Sequence, residues 1–128
     1  MRILLDTHTL LWVLSDSARL PQELRIRLTA PGMRLLYSSV SILEIAIKHS
    51  LKPEAMPSSP EEVSADAESS GFEHLPFMAS HAAIVGTLPW LHRDPFDRML
   101  LAQARFEGCP LLTHDDDIIR YGDGVKGF

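Results

Sequence analysis

Carboxylates recur in this sequence at positions where side chains meet ligands. Asp6 follows the short apolar run Ile3-Leu4-Leu5 and precedes a helical pattern, so it stands where a strand ends and a helix begins. In open α/β sheets that is where ligands bind. Asp115 stands in the same relation to Leu111-Leu112-Thr113, at the head of the triplet Asp115-Asp116-Asp117. Glu44 lies inside a helical pattern. At 100° per residue it shares a narrow polar strip with Ser41 and Lys48. That strip runs between an apolar face of Val40, Leu43, Ile47 and Leu51 and a second of Ile42, Ile45 and Ala46, so the helix is expected to be covered on two sides. Asp97 shares its helix face with Leu100, Leu101 and Ala104 and so points toward the core. Gathered carboxylates repel, at about 3 kcal/mol gross per pair for ~5 Å and an effective dielectric of ~20. Hard divalent cations with oxygen ligands are the usual remedy. Carboxylates that hold Mg²⁺ or Mn²⁺ beside a wet cleft suggest phosphodiester hydrolysis, because the cation lowers the pKa of its water and offsets charge on the attacking and leaving oxygens.

Each acid also has a plainer reading. Asp6 and Asp94 are good helix N-caps, and Asp97 in a first turn is favoured by the helix dipole. Glu44 and Lys48 form an i, i+4 pair worth a few tenths of a kcal/mol. Asp116 and Asp117 read as a solvated turn and helix start. Lys and Arg avoid the apolar faces, and Arg98 and Arg105 lie together on a separate face, free to meet solvent or phosphate. The histidines share no zinc-ligand spacing, although His92 and His114 could line a cleft. Trp12 reads as core. Trp90 is read as core in preference to a base-stacking platform.

The elements that position these residues alternate. Strands are expected at 3–5, 35–37, 72–75, 111–113 and, as a final edge, 125–128. Helices are expected after Asp6, from Pro21 to about 29, from Ser38 or Ser39 to about 50, over 60–70, from a Ser80 cap to about 88, and over 115–121. The clearest helix opens on Asp94-Pro95 and stops at Gly108. Residues 53–60 form a Pro/Ser loop. This alternation favours an α/β fold with a mostly parallel sheet.

The whole chain bounds the reading. Its 128 residues are expected to form one domain, spanning 1–128. A chain of this size buries roughly two-thirds of its unfolded surface. Hydrophobic residues at 45% and charged residues at 23% exclude collagen-like, disordered and disulfide-scaffold classes. Cys109 is the single cysteine, so no internal disulfide forms. No apolar run approaches the ~20 residues of a membrane span, and Ile3-Leu4-Leu5 is too short for a signal-peptide core. A cytoplasmic location is expected. The net charge of −5 argues against a nucleic-acid partner unless carboxylates hold cations; two divalent ions would bring the balance close to neutral.

LLDTH at 4–8, SILEIAIK at 41–48, HRDPFDRMLLAQA at 92–104 and LLTHD at 111–115 resemble the four acidic blocks of PIN-domain proteins. The resemblance is closest to VapC-type toxins of prokaryotic toxin–antitoxin pairs and covers essentially the whole chain. It implies a compact PIN-like α/β/α sandwich around a mostly parallel sheet. It also implies Mg²⁺- or Mn²⁺-dependent endoribonuclease activity, homodimerisation and a cognate antitoxin. The catalytic and metal-binding quartet it selects is Asp6, Glu44, Asp97 and Asp115, with Asp6 and Asp97 as principal ligands and Asp94 as an additional acid. At the fourth block the acid after Thr-His matches, which selects Asp115 over Asp116 and Asp117. Lys48, Arg93 and Arg98 are the candidate RNA contacts. Residues 49–57, HSLKPEAMP, replace a Gly-Lys-Leu stretch found in common relatives, so no partner contact carries over to them. A receiver domain would need a Lys after its fifth strand, and a haloacid-dehalogenase-like phosphatase an Asp-x-Asp after the first; neither is present. A non-catalytic module whose acidic pocket holds a basic peptide remains open.

Overall fold

Three apolar residues, Ile3-Leu4-Leu5, suffice for most of the first strand because both of its faces are buried, the signature of a strand inside a parallel sheet. The computed structural model, which describes residues 1–128, places β1 at Arg2–Leu5, β2 at Arg34–Ser38, β3 at Glu73–Leu75, β4 at Leu111–Thr113 and β5 at Val125–Gly127. They form one sheet in the order β3-β2-β1-β4-β5. Every neighbouring pair is parallel, edge strand included, so the sheet is more uniform than expected. Ile3 pairs with Leu35, and Leu5 with Leu112.

Alternation along the strands divides the core into two layers. Ile3, Leu5, Leu35, Tyr37 and Leu112 face one layer with Leu10, Leu20, Leu24, Leu28 and Ala67. The helices there are α1 (Thr7–Leu14), α2 (Gln22–Leu28) and α4 (Pro60–Ser69). Leu4, Leu36 and Leu111 face the other layer with Leu88, Leu100, Leu101 and Ile118. That layer holds α5 (Ala79–Val85), α6 (Pro95–Glu107) and α7 (Asp116–Ile119). The result is an α/β/α sandwich. Helix α3 (Ser39–Leu51) sends Ile45 into the first layer and Val40 into the second.

Local chemistry sets the ends of these helices. Asp94 caps α6 by accepting from the backbone N–H groups of Phe96 (2.9 Å) and Asp97 (3.4 Å), and Gly108 closes it in a left-handed conformation at φ +67°. Helix α2 begins one residue after Pro21, which itself takes the cap position. Helix α5 starts and stops earlier than expected. Met78 caps it in place of Ser80, its N–H donating to His81 Nδ1 at 2.9 Å, and the carbonyls of Val85, Leu88 and Pro89 turn to a side chain from α6.

Two expectations about packing are corrected. The Leu43–Ile47–Leu51 stripe of α3 is exposed, Leu51 at 75%, because Ser41, Glu44 and Ile45 are the residues turned inward. Trp90 is not core. Its ring is 77% exposed and lies flat over a guanidinium rather than over aliphatic neighbours. No helix is long and apolar enough to cross a membrane.

Candidate metal centre

The strand order changes direction beside β1, so β1 and β4 are adjacent while their following segments diverge, which opens a crevice at their carboxyl ends. Asp6 and Asp115 sit at that edge. Asp6 is 4% exposed. One of its carboxylate oxygens accepts from the Thr9 N–H at 2.8 Å, capping α1, and the other accepts from the Thr113 hydroxyl at the end of β4. The cap reading of Asp6 is therefore correct and does not exhaust the residue. Burial pushes its carboxyl above the usual carboxylate range, against the pull of the Thr113 and Thr9 hydrogen bonds. The Thr113 hydroxyl also accepts from the Asp115 N–H at 3.0 Å, so one threonine orients both acids. Asp115 in turn caps α7 through the Asp117 N–H at 2.8 Å.

Glu44 reaches the same region from α3, 3% exposed. It accepts from the Thr7 hydroxyl at 2.7 Å and forms the expected ion pair with Lys48. A buried carboxylate with a half-exposed lysine is more than a surface pair, because loss of Lys48 would leave the charge buried and uncompensated.

Asp97 is the most perturbed of the acids. Its carboxyl is pushed up to about 7, first by burial, then by the negative charges of Asp94 and Glu44, while the His92 hydrogen bond acts the other way. His92 Nε2 lies 2.7 Å from Asp97 Oδ2 and 3.9 Å from Asp115 Oδ2, and its Nδ1 lies 3.9 Å from Asp117 Oδ2. The imidazole therefore stands between the acids of α6 and those after β4. Ligand atoms of His92, Asp94 and Asp97 lie within 4.8 Å of one another, and so do those of His92, Asp115 and Asp117. The sequence placed His92 near the cleft but not at its centre. The available signal was its position two residues before Asp94, inside the same block. Asp117, read as solvated turn, stands closer to the cluster than that reading implied.

The three candidate basic contacts divide. Arg93 is exposed, and Lys48 is paired with Glu44. Arg98 is corrected. It is 2% exposed, and its guanidinium donates to the carbonyls of Pro89 (2.8 Å), Val85 (3.0 Å) and Leu88 (3.2 Å) and to the Tyr121 hydroxyl (3.0 Å). Its outer surface is covered by the Trp90 ring at 3.9 Å. Four of its five N–H donors are taken and the group is buried, so it is not presented to phosphate. It holds the loop that carries His92, whose own N–H donates to the Tyr121 hydroxyl at 3.2 Å.

The donor set fits a hard divalent cation. It is carboxylate oxygen from several elements plus one imidazole, with more negative charge than Lys48 offsets and with Asp97 resisting ionisation in consequence. The ligand atoms brought within reach of one another are those of His92 with Asp94 and Asp97 and of His92 with Asp115 and Asp117, while Asp6 and Glu44 stand outside these two groups.

An all-parallel α/β/α sandwich with carboxylates gathered at its switch point defines an acid-site α/β domain. The chain belongs to the PIN-domain family, whose model matches residues 3–124. Comparison with curated protein sequences finds no match. Among solved structures the fold is similar to VapBC2 from Rickettsia felis bound to a DNA fragment from its promoter, with a TM-score of 0.70, 17% identity, and coverage of 99% of this chain and 98% of that one. DNA-bound VapBC from Salmonella typhimurium gives a TM-score of 0.68 at 22% identity, covering 100% and 97%. Mycobacterium tuberculosis VapC20, a sarcin-ricin-loop-cleaving toxin, gives 0.63 at 16% identity, covering 94% and 95%.

Proposed function

We propose that this protein is a metal-dependent endoribonuclease, the VapC-type toxin of a toxin–antitoxin pair. The observation that carries this reading is the gathering of Asp94, Asp97, Asp115 and Asp117 around His92, with Asp97 pushed up to about 7 by burial and by the charges of Asp94 and Glu44. That is an unfavourable arrangement for a structural site and a suitable one for a cation. Membership of the PIN family and a fold shared with VapBC complexes and with a toxin that cleaves the sarcin-ricin loop support the same reading.

Asp6, Asp97, Glu44 and Asp115 would hold Mg²⁺ or Mn²⁺. Bound there, the cation supplies an activated water and offsets charge on the scissile phosphate. The chain's own contribution is positional. Thr113 fixes Asp6 and Asp115 relative to each other, Thr7 and Lys48 fix Glu44, and His92 Nε2 shares a proton with Asp97 Oδ2. Lys48 and Arg93 are the basic residues on hand for RNA. An antitoxin would enter the same acidic cleft with an arginine, since a guanidinium pairs carboxylates bidentately. The exposed Leu43–Ile47–Leu51 stripe supports a homodimer.

Purified protein incubated with RNA and Mg²⁺ or Mn²⁺ should cleave it, and EDTA should stop the cleavage. Intact RNA under all conditions, with retained binding of an arginine-rich peptide, would instead establish the acidic-pocket binding module.

A further inference from the structure

Asp6 and Asp115 also line a cleft that runs away from the other acids. Its volume is about 280 Å³, and its remaining walls are His8, Trp12, Arg19 and His114. Its walls combine carboxylates with aromatic and cationic groups. The Arg19 guanidinium lies 5.4 Å from the centre of the Trp12 ring. Trp12 is held in place by its surroundings. Its inner side packs against the first core layer, and the rings of His114 and Phe128 meet it edge-on at 5.8 Å and 6.1 Å. His114 is itself stacked on Phe128 at 4.9 Å. Pre-positioned rings of this kind lose little freedom when a planar group settles against them.

Among the cations of this acidic chain Arg19 is set apart by its place in the cleft. Arg2 pairs with Glu107, Arg25 with Asp16, Arg34 with Glu73, Lys48 with Glu44 and Arg120 with Asp117. Arg19 has no acidic partner, is exposed, and stands in the cleft that leads to the acids.

We propose that this cleft is a nucleotide subsite that takes one unpaired nucleotide of the RNA strand, its base against Trp12 and the flanking imidazoles and its phosphate on Arg19. The inference rests on the ribonuclease reading and adds to it the part of the substrate bound beside the scissile phosphate. Size and composition select this occupant. The volume lies just below the usual range of ligand pockets, ~300–1,000 Å³, which suits one nucleotide at most and excludes a base pair. Aromatic faces bind bases without needing a particular one, and only an unpaired base offers a free face. The net charge of −5 repels a polyanion elsewhere, so an unpaired arginine within the cleft itself helps to localise the strand.

The test uses a Trp90→Phe, Asp97→Asn protein, in which Trp12 is the only tryptophan and cleavage is blocked. Titration with a ten-nucleotide oligouridylate in Mg²⁺ should quench the Trp12 emission saturably. A ribose-phosphate strand of equal length without bases should leave it unchanged, and the oligouridylate annealed to oligoadenylate should bind at least about tenfold more weakly. Adding Arg19→Gln should raise the Kd about five- to tenfold and reduce the slope of log Kd against log salt by about 0.7, the share of one phosphate contact on a single strand. Trp12→Phe, which keeps an aromatic ring against the core, should weaken binding by gel shift without lowering the melting temperature more than a few degrees. RNA that binds and is cut by the parent protein, with Trp12 emission unmoved and Arg19→Gln binding unchanged, overturns the subsite and leaves the ribonuclease reading standing. Emission that responds to an antitoxin and not to RNA overturns it in favour of a protein contact. Failure of the unmodified protein to bind or cut RNA in Mg²⁺ overturns both.

Discussion

Asp97 shows how one residue satisfies two readings. In the first turn of α6 it gains from the helix dipole, yet burial and the charges of Asp94 and Glu44 push its carboxyl up to about 7. If repulsion outweighs the dipole contact, Asp97→Asn should melt about 3–5 °C above the parent protein in EDTA at pH 8, the shift expected from a net gain of about 1 kcal/mol in a domain of this size. The sign of the pH dependence follows from linkage. With a folded value near 7 against 3.8 unfolded, the native state binds the extra proton between those limits, so metal-free stability falls as pH rises from 3.8 toward 7. Asp6, also raised by burial, contributes in the same direction. The advantage of Asp97→Asn should therefore shrink between pH 8 and pH 5, read from parallel thermal melts. A variant that melts below the parent at pH 8 would make Asp97 a helix-start residue. For chemistry, Asp6→Asn and Asp97→Asn should each abolish divalent-dependent RNA cleavage with the fold intact, measured by gel assay and circular dichroism. Asp117→Asn should cleave nearly as well as the parent, since its carboxylate is more exposed than that of Asp115, pairs with Arg120 and caps nothing.

Helix α6 and the loop before it are held together by Arg98, whose guanidinium satisfies three carbonyls, the Tyr121 hydroxyl and the Trp90 ring face. Removing it leaves those carbonyls buried without a donor. Arg98→Ala should therefore cost about 3–5 kcal/mol in chemical denaturation, the range for breaking a buried charged network. Tyr121→Phe should cost roughly 1–2 kcal/mol, because it removes an acceptor for the His92 N–H and for Arg98 and a donor to Pro89. A surface-like cost below 0.5 kcal/mol for Arg98→Ala would mean the loop holds itself. The helix that Arg98 belongs to was legible in sequence, from Asp94-Pro95 at one end to Gly108 at the other, because caps and terminators act on their own neighbours. So were the strands and the acids at their carboxyl ends. Arg98, Trp90 and the exposed α3 stripe were not. A helical wheel gives the direction of a side chain but not what packs there. The segment 85–89 folds over Arg98 through main-chain carbonyls that every sequence possesses. His92 was half legible for the same reason. Its block marked it, but its place between Asp97 and Asp115 depends on β4 and α6 coming together across the sheet.

At the scale of the molecule, charge and exposed apolar surface set what binds. Binding confined to the folded state stabilises by mass action, about 2.7 kcal/mol at a ligand concentration of 100 Kd. Mg²⁺ or Mn²⁺ at that level should raise the melting temperature of the parent protein by roughly 8–13 °C and that of Asp97→Asn by much less. No shift in either protein would remove the metal centre. Self-association depends on α3. Leu43, Ile47 and Leu51 recur every fourth residue, so they form one stripe about 12 Å long, beside the polar strip that carries Glu44 and Lys48. Three aliphatic side chains in a row on a charged surface favour contact with a like surface, and a twofold pairing of α3 helices would bury the stripe in both copies at once. A charge at the centre of the stripe would be doubled by symmetry and left without a partner. Ile47→Lys should therefore convert a dimer to a monomer in sedimentation equilibrium, while the protein retains its melting cooperativity and its divalent-dependent cleavage. A parent protein that sediments as a monomer at tens of micromolar, or an Ile47→Lys variant that remains dimeric, would place the contact on another face.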